Sequence, residues 1–276
     1  MTEYHILSLG AGVQSTCVYL MGYEGKLPLT HAVFADTMDE PEEVYRHLQW
    51  LDNLHGIPIY IISVGSLSEA ILAGANSGGQ RNGAAIPVFM RTDDGKIGRY
   101  RRQCTKEYKI DPFWRCVRRD ILGLLPKKHI PKDVHIHVYF GISTDEARRT
   151  RGIIKRFEKR SNITVHFPLI MSGMTRNDCH KWMEGKVPHI VPRSACVYCP
   201  YHNDHEWQRI KFNDPSGWAK AVKVDEALRD KTIRRTHYKH PLFLHRSLVP
   251  LSEVDFTKPE RTLPLFNEEC EGMCGN

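Results

Sequence analysis

The first 65 residues alternate between strand-like and helix-like hydrophobic periods, and no other feature restricts the fold as tightly. Residues 5–9 read as a short buried strand, Gly10-Ala11-Gly12 as a turn and 15–23 as a helix. A second strand is expected at 30–35. A helix follows at 41–54, with Asp39 as its N-cap and Pro41 in its first turn. A third strand is expected at 57–62, and another helix begins at 66–72. This order predicts an α/β fold with a doubly wound, mostly parallel sheet. Two more strands are expected at 135–140 and 164–167. Beyond Pro168 the pattern turns helical, at 175–185, 204–212 and 215–229. Residues 73–100 break the alternation: Gly74, Gly78, Gly79, Gly83, Gly95 and Gly98 fall in a polar stretch that reads as a long loop and a candidate active-site flap. The pattern divides the chain into an α/β domain over 1–170 and a helical C-terminal region over 171–276.

At 276 residues with 41% apolar side chains, the chain can bury a core without disulfides. No apolar run reaches the 18 or so residues of a membrane span, and the start of the chain carries no signal-peptide pattern. The expected location is therefore cytoplasmic, with no membrane partner and with the eight cysteines as thiols or metal ligands. Charge is unevenly placed. Residues 1–98 carry 5 Lys and Arg against 11 Asp and Glu, residues 99–160 carry 18 against 7, and residues 161–276 carry 16 against 14. The basic segment 99–160 suits an anionic partner such as tRNA or DNA, although short basic runs are also ordinary solvated helix faces.

Ser8-Leu9-Gly10-Ala11-Gly12-Val13-Gln14-Ser15-Thr16 joins the first strand to the first helix. Small residues let backbone N–H groups approach an anion, the helix N-terminus adds its dipole, and Ser15 and Thr16 bring hydroxyls. A tight turn that needs glycine for packing alone has the same appearance. No Gly-Lys-Ser/Thr ends the loop, so it is not a P-loop. The third glycine of a dinucleotide fingerprint is absent too.

This loop resembles the pyrophosphate loop of the PP-loop ATP pyrophosphatases (the adenine nucleotide α-hydrolase-like superfamily), whose usual form is Ser-Gly-Gly-x-Asp-Ser-Thr. Gly10 stands for the first Ser and Gln14 for the Asp. Sulfonucleotide reductases, a branch of that superfamily, also lack the Asp. Two further elements resemble the phosphoadenosine phosphosulfate reductase family. Asp36-Thr37-Met38-Asp39-Glu40-Pro41-Glu42 is similar to its Asp-Thr-Gly…Pro-Glu-Thr element. Gly141-Ile142-Ser143-Thr144-Asp145-Glu146-Ala147-Arg148-Arg149 is similar to its Gly-x-Arg…Glu-Ser…Arg element, with Ser143 in place of an Arg. The resemblance implies a PP-loop fold that binds ATP with Mg, or an adenylyl sulfate. Ser8, Gly10, Gly12, Gln14, Ser15, Thr16, Asp36, Gly141 and Glu146 would hold the nucleotide, and Arg148 or Arg149 would clamp a phosphate or sulfate.

Cys196 and Cys199 form a Cys-x-x-Cys pair followed by Pro200, a half-site for a soft metal centre, and the resemblance adds Cys104 as a third ligand. An iron–sulfur cluster of the 4Fe-4S type is one reading. Zinc, with His202 or His205, is a second, and plain thiols are a third. Cys17, Cys116 and Cys179 are expected in the core. Cys270 and Cys274, in Glu269-Cys270-Glu271-Gly272-Met273-Cys274, are similar to the C-terminal nucleophile of sulfonucleotide reductases. Three functions follow from the resemblance. The first is ATP-dependent adenylation of a substrate, nucleic acid included, before sulfur transfer from a donor. The second is reduction of an adenylyl sulfate to sulfite, drawing on a thiol reductant protein. The third is a nucleotide-binding module without turnover.

Overall fold

The computed structural model of the chain describes residues 1–75, 86–100, 102–230 and 239–257. Its elements run β1 (Thr2–Leu9), α1 (Val13–Tyr23), β2 (His31–Asp36), α2 (Glu42–Asp52), β3 (Ile59–Ser63) and α3 (Leu67–Leu72). Next come β4 (Phe89–Arg91), β5 (Ile97–Arg99), α4 (Asp111–Cys116), β6 (Val134–Phe140), α5 (Thr150–Phe157) and β7 (Ile163–His166). Four helices follow: α6 (Pro168–Met171), α7 (Arg176–Met183), α8 (Asp204–Asn213) and α9 (Pro215–Ala227). Five strands form one all-parallel sheet in the order β3-β2-β1-β6-β7. The chain winds outward from β1 to β2 and β3, then returns to place β6 on the other side of β1. That reversal makes the carboxyl ends of β1 and β6 the topological switch point, where ligands bind in open α/β sheets.

A parallel sheet must cover both faces. On one face Leu7, Leu9, Ala32, Phe34 and Tyr139 pack against α1, α2 and α7. Residues 13 to 21 of α1 are all buried, so this helix is enclosed on every side. On the other face Ile6, Val33, Ile136, Val138 and Phe140 pack against Phe113, Cys116 and Val117 and against Ile153 and Phe157 of α5. A third cluster joins Leu67 and Ile71 of α3, Val88 and Tyr108 to Val197, Tyr198, Trp207 and Val224. Cys17, Cys116 and Cys179 are buried as expected. Leu169, Cys179 and Met183 share the α1 cluster, and residues 196–256 share theirs with residues 67–108, so apolar packing runs across residue 170.

Two regions depart from the sequence reading. Part of the expected loop at 73–100 is a β4–β5 hairpin, with Phe89 opposite Arg99 and also bridged to Phe243. Asp94-Gly95 turns it, and Gly95 takes φ +79°, where a side chain would be strained. Residues 76–85 lie outside the described residues. Residues 105–121, to which periodicity assigns nothing, form a helical run in which π-helical turns at Thr105–Ile110 and Val117–Ile121 flank α4. Each π turn shifts the phase of the buried face, which erases a 3.6-residue signal.

Candidate functional site

β1 ends at Leu9, and Gly10-Ala11-Gly12 turns directly into α1. Ala11 holds φ +57°, a left-handed conformation uncommon for a side-chain-bearing residue. Ser15 organises this turn: its Oγ accepts from the N–H groups of Gly10 (3.2 Å) and Gly12 (3.3 Å) and lies 3.3 Å from the Gly12 carbonyl oxygen. Ser8, Gln14, Ser15 and Thr16 are all buried. The hydroxyls expected to face an anion are thus engaged inside the protein. Ser15 shapes the loop, and Thr16 Oγ1 lies 2.8 Å from His47 Nε2.

Across the switch point, Gly141, the residue after β6, lies so close to this loop that a Cβ there would stand 2.5 Å from the Ser15 backbone nitrogen. Only glycine permits that approach. The next residues tie the two loops together. Gln14 Nε2 donates to Glu146 Oε2 (2.9 Å) and Ser143 Oγ (3.3 Å), and Arg149 donates to Glu146 Oε1 at 2.6 Å. Arg148 is exposed. This explains the amide at position 14. A carboxylate there would face Glu146 at hydrogen-bond distance, and two ionised carboxylates so close repel. Gln14 Oε1 is buried with no hydrogen-bond partner among the described residues.

At the end of β2, Asp36 accepts from the Met38 N–H (2.7 Å) and from the Tyr45 hydroxyl (2.9 Å). Burial, followed by the Asp36 charge, pushes the Tyr45 hydroxyl well above its ordinary range. Asp39 is not the N-cap of α2, which begins after Pro41. Its fully buried carboxylate turns the other way, accepting from Ser68 N (2.7 Å) and Ser68 Oγ (2.7 Å) at the start of α3, from Tyr198 (2.6 Å) and from Lys220 (2.9 Å). Glu40 accepts from Lys109 (3.3 Å) and from Ser194 (3.3 Å). Burial raises its carboxyl and Lys109 pulls it back. Val197 N–H donates to the Asp39 carbonyl (2.9 Å), and Thr37 Oγ1 lies 3.1 Å from Cys196 Sγ. The Cys-x-x-Cys segment is therefore docked on the loop that follows β2.

Cys104 packs against the cluster that contains Cys196 and Tyr198. It acts electrostatically on Tyr198 together with Cys196, and on Tyr201 together with Cys199. The structure thus gathers all three expected thiols around one pair of tyrosines. Arg99 and Arg102 lie over the Tyr201 ring at 5.1 and 5.5 Å, adding positive charge nearby. A tetrahedral zinc ion spaces its thiolates about 3.8 Å apart. Among the described residues these three thiols do not gather within 4.8 Å of one another. His202 is buried with its Nε2 2.9 Å from the Cys196 carbonyl oxygen, and burial lowers its imidazole to about 3. Cys270 and Cys274 lie outside the described residues.

The sequence reading missed a second group beside the loop. Thr16, His47 and His189 form a chain, with His47 Nδ1 2.8 Å from His189 Nε2. It leads from the first turn of α1 to a cavity of about 340 Å³ lined by Glu43, Arg46, His47, Trp50, His189 and Ile190. His47 is fully buried, which lowers it to about 3. An imidazole at an inward position of an amphipathic helix was the available signal. The pairing with His189, 142 positions away, had none.

Fold and loop placement define the class: a doubly wound α/β protein whose candidate ligand loops converge at the sheet's switch point. No family model matches the chain, and no curated protein matches it. Among the described residues no helix is long and apolar enough to cross a membrane.

Proposed function

We propose that this chain is a nucleotide-dependent sulfur-chemistry enzyme similar to the phosphoadenosine phosphosulfate reductase-like proteins. It binds MgATP at the β1/β6 switch point and adenylates its substrate. The observation that carries this reading is convergence. Loops 10–16 and 141–149 touch at the switch point, with Asp36 one strand away and the Cys196–Cys199 segment docked on the loop that follows. In the reaction, a substrate oxygen attacks the α-phosphorus and pyrophosphate leaves. A sulfur nucleophile then attacks the activated carbon and AMP departs. Backbone N–H groups of the 10–16 turn other than those of Gly10, Gly12 and Thr16, which are engaged within the turn, would bind the phosphates, while the exposed Arg148 would neutralise their charge, joined by Arg149 on release from Glu146. Cys104, Cys196 and Cys199 would hold an iron–sulfur cluster, which would supply or relay sulfur. The basic segment 99–160 would hold a nucleic-acid substrate through its phosphates.

Gln14 favours a second reading, because the amide removes a carboxylate that would help organise a metal–phosphate complex. In that reading the nucleotide is an adenylyl sulfate. The thiolate of Cys270 or Cys274 attacks the sulfate sulfur, the S–O bond to AMP breaks, and a thiol reductant protein releases sulfite from the resulting thiosulfonate.

Calorimetric titration of anaerobically purified protein with MgATP, adenylyl sulfate and its 3′-phosphorylated form separates these readings. Binding of MgATP, lost in Gly141→Ala, is the expected result. Preference for a sulfated nucleotide selects the reductase. Binding of none of the three overturns both.

A further inference from the structure

At the opposite, amino-terminal end of the sheet, side chains of one face gather into a cluster that the nucleotide site does not use. Glu3 and His5 of β1 stand in register with His135 and His137 of β6, and His137 and Tyr139 with Thr164 and His166 of β7. Alternation along each strand puts all of them on the face that carries Leu7, but before the point where α1 covers it. The His5 and His137 rings stack at 4.4 Å, and His137 lies 5.1 Å from the His166 ring. From Glu3 Oε2, His5 Nε2 is 3.7 Å away and His137 Nε2 3.9 Å.

We propose that Glu3, His5 and His137 form a binding site for a divalent transition ion of the zinc class, separate from the thiols and from the nucleotide crevice. Four features support it. Among the described residues this is the one set of three ligand groups whose donor atoms all lie within 4.8 Å of one another. A tetrahedral ion with bonds of about 2.0–2.1 Å spaces its donors about 3.4 Å apart, a few tenths of an ångström inside the two Glu3–imidazole distances, and the two rings, stacked with 4° between their planes, tilt toward each other to converge on it. The second nitrogen of each ring already has a partner: His5 Nδ1 lies 3.0 Å from the Tyr139 hydroxyl, and His137 Nδ1 lies 2.9 Å from His166 Nε2. Outer partners of this kind orient metal-ligating imidazoles. Finally, His137 Nε2 is buried with no hydrogen-bond partner among the described residues, and it faces the carboxylate. An imidazole nitrogen left in that state costs free energy that an ion would recover.

The donor set selects the ion. Two imidazoles and one carboxylate suit zinc, cobalt or nickel and disfavour calcium and magnesium, which take oxygen ligands. The Glu3 side chain is 54% exposed, against 16% for His5 and 18% for His137. An ion would thus enter past the carboxylate to a half-sheltered pair of rings.

The test is a Co²⁺ titration of the full chain followed by absorption, with Zn²⁺ as competitor, repeated on Cys196→Ser. One Co²⁺ per chain is expected, with d–d bands, no thiolate charge-transfer band in Cys196→Ser, and displacement by Zn²⁺. His5→Gln and His137→Gln are expected to weaken binding at least tenfold and leave nucleotide binding unchanged. Wild-type affinity in the His5→Gln/His137→Gln chain, or no cobalt signal from nitrogen and oxygen ligands in either parent, overturns the site. If the substituted chains do not fold, imidazole ¹⁵N spectra of the wild type decide the matter. Zn²⁺ is expected to shift His5 and His137, and unshifted resonances overturn the proposal.

Discussion

Two buried imidazoles weigh against stability in acid. His47 and His202 are each lowered to about 3 from an ordinary value of 6.5. Burial is the main cause for both; His189 adds to it at His47, and Arg193 at His202. Between these values the unfolded chain binds protons that the folded chain refuses. Stability therefore rises with pH through that window and is lost as pH falls from about 6.5 toward about 3. Each tenfold change in proton affinity is about 1.4 kcal/mol, so each ring withdraws a few kcal/mol in acid. Urea unfolding midpoints measured across this range are expected to fall steeply for the wild type. In His47→Gln, which keeps a partner for Thr16, the slope is expected to be shallower by up to one proton. An unchanged slope would show that His47 is protonated in the folded state. At the same scale, Gly141→Ala places a Cβ against backbone that has little room to yield. It is expected to cost about 1–3 kcal/mol, read as a lower urea midpoint, as well as the nucleotide.

Asp39 joins elements. One buried carboxylate receives the start of α3, the Tyr198 hydroxyl and the α9 lysine Lys220, while its backbone carbonyl receives Val197. The loop after β2, the thiol segment and two helices thus share a single acceptor. Asp39→Ala would leave several buried donors unpaired and is expected to cost about 3–5 kcal/mol. Tyr198→Phe, which removes one donor, is expected to cost about 1–2 kcal/mol. Equal losses for the two in chemical unfolding would mean that the carboxylate does not unite these elements.

For the whole molecule, apolar packing crosses residue 170 in two clusters, so the α/β portion does not own its core. A chain ending at residue 170 would expose the α1 surface that α7 covers. It is expected to lack the cooperative thermal transition of the full chain when followed by circular dichroism. A cooperative transition would instead establish an independent domain. Much of the fold was legible beforehand. The period switches placed β1, α1, β2, α2 and β3 within a few residues, and Pro168 marked the change to helices, because local backbone preference and one-sided burial are written in nearest neighbours. The parallel sheet followed from the alternation. Three kinds of feature were not legible. The π turns hid the helical run at 105–121 by shifting its phase, and the three-residue strands of the hairpin are too short to carry a period. Asp39 reads as a helix cap beside its own helix, yet it bonds to α3, α9 and the thiol segment. Sequence alone determined which elements form and which residue types reach the ends of the strands. Tertiary structure decided which of them meet: Gln14 with Glu146, Thr16 with His47 and His189, and His5 with His137. Those pairings depend on strand order and register, which join positions up to 142 residues apart, and no local preference encodes that distance.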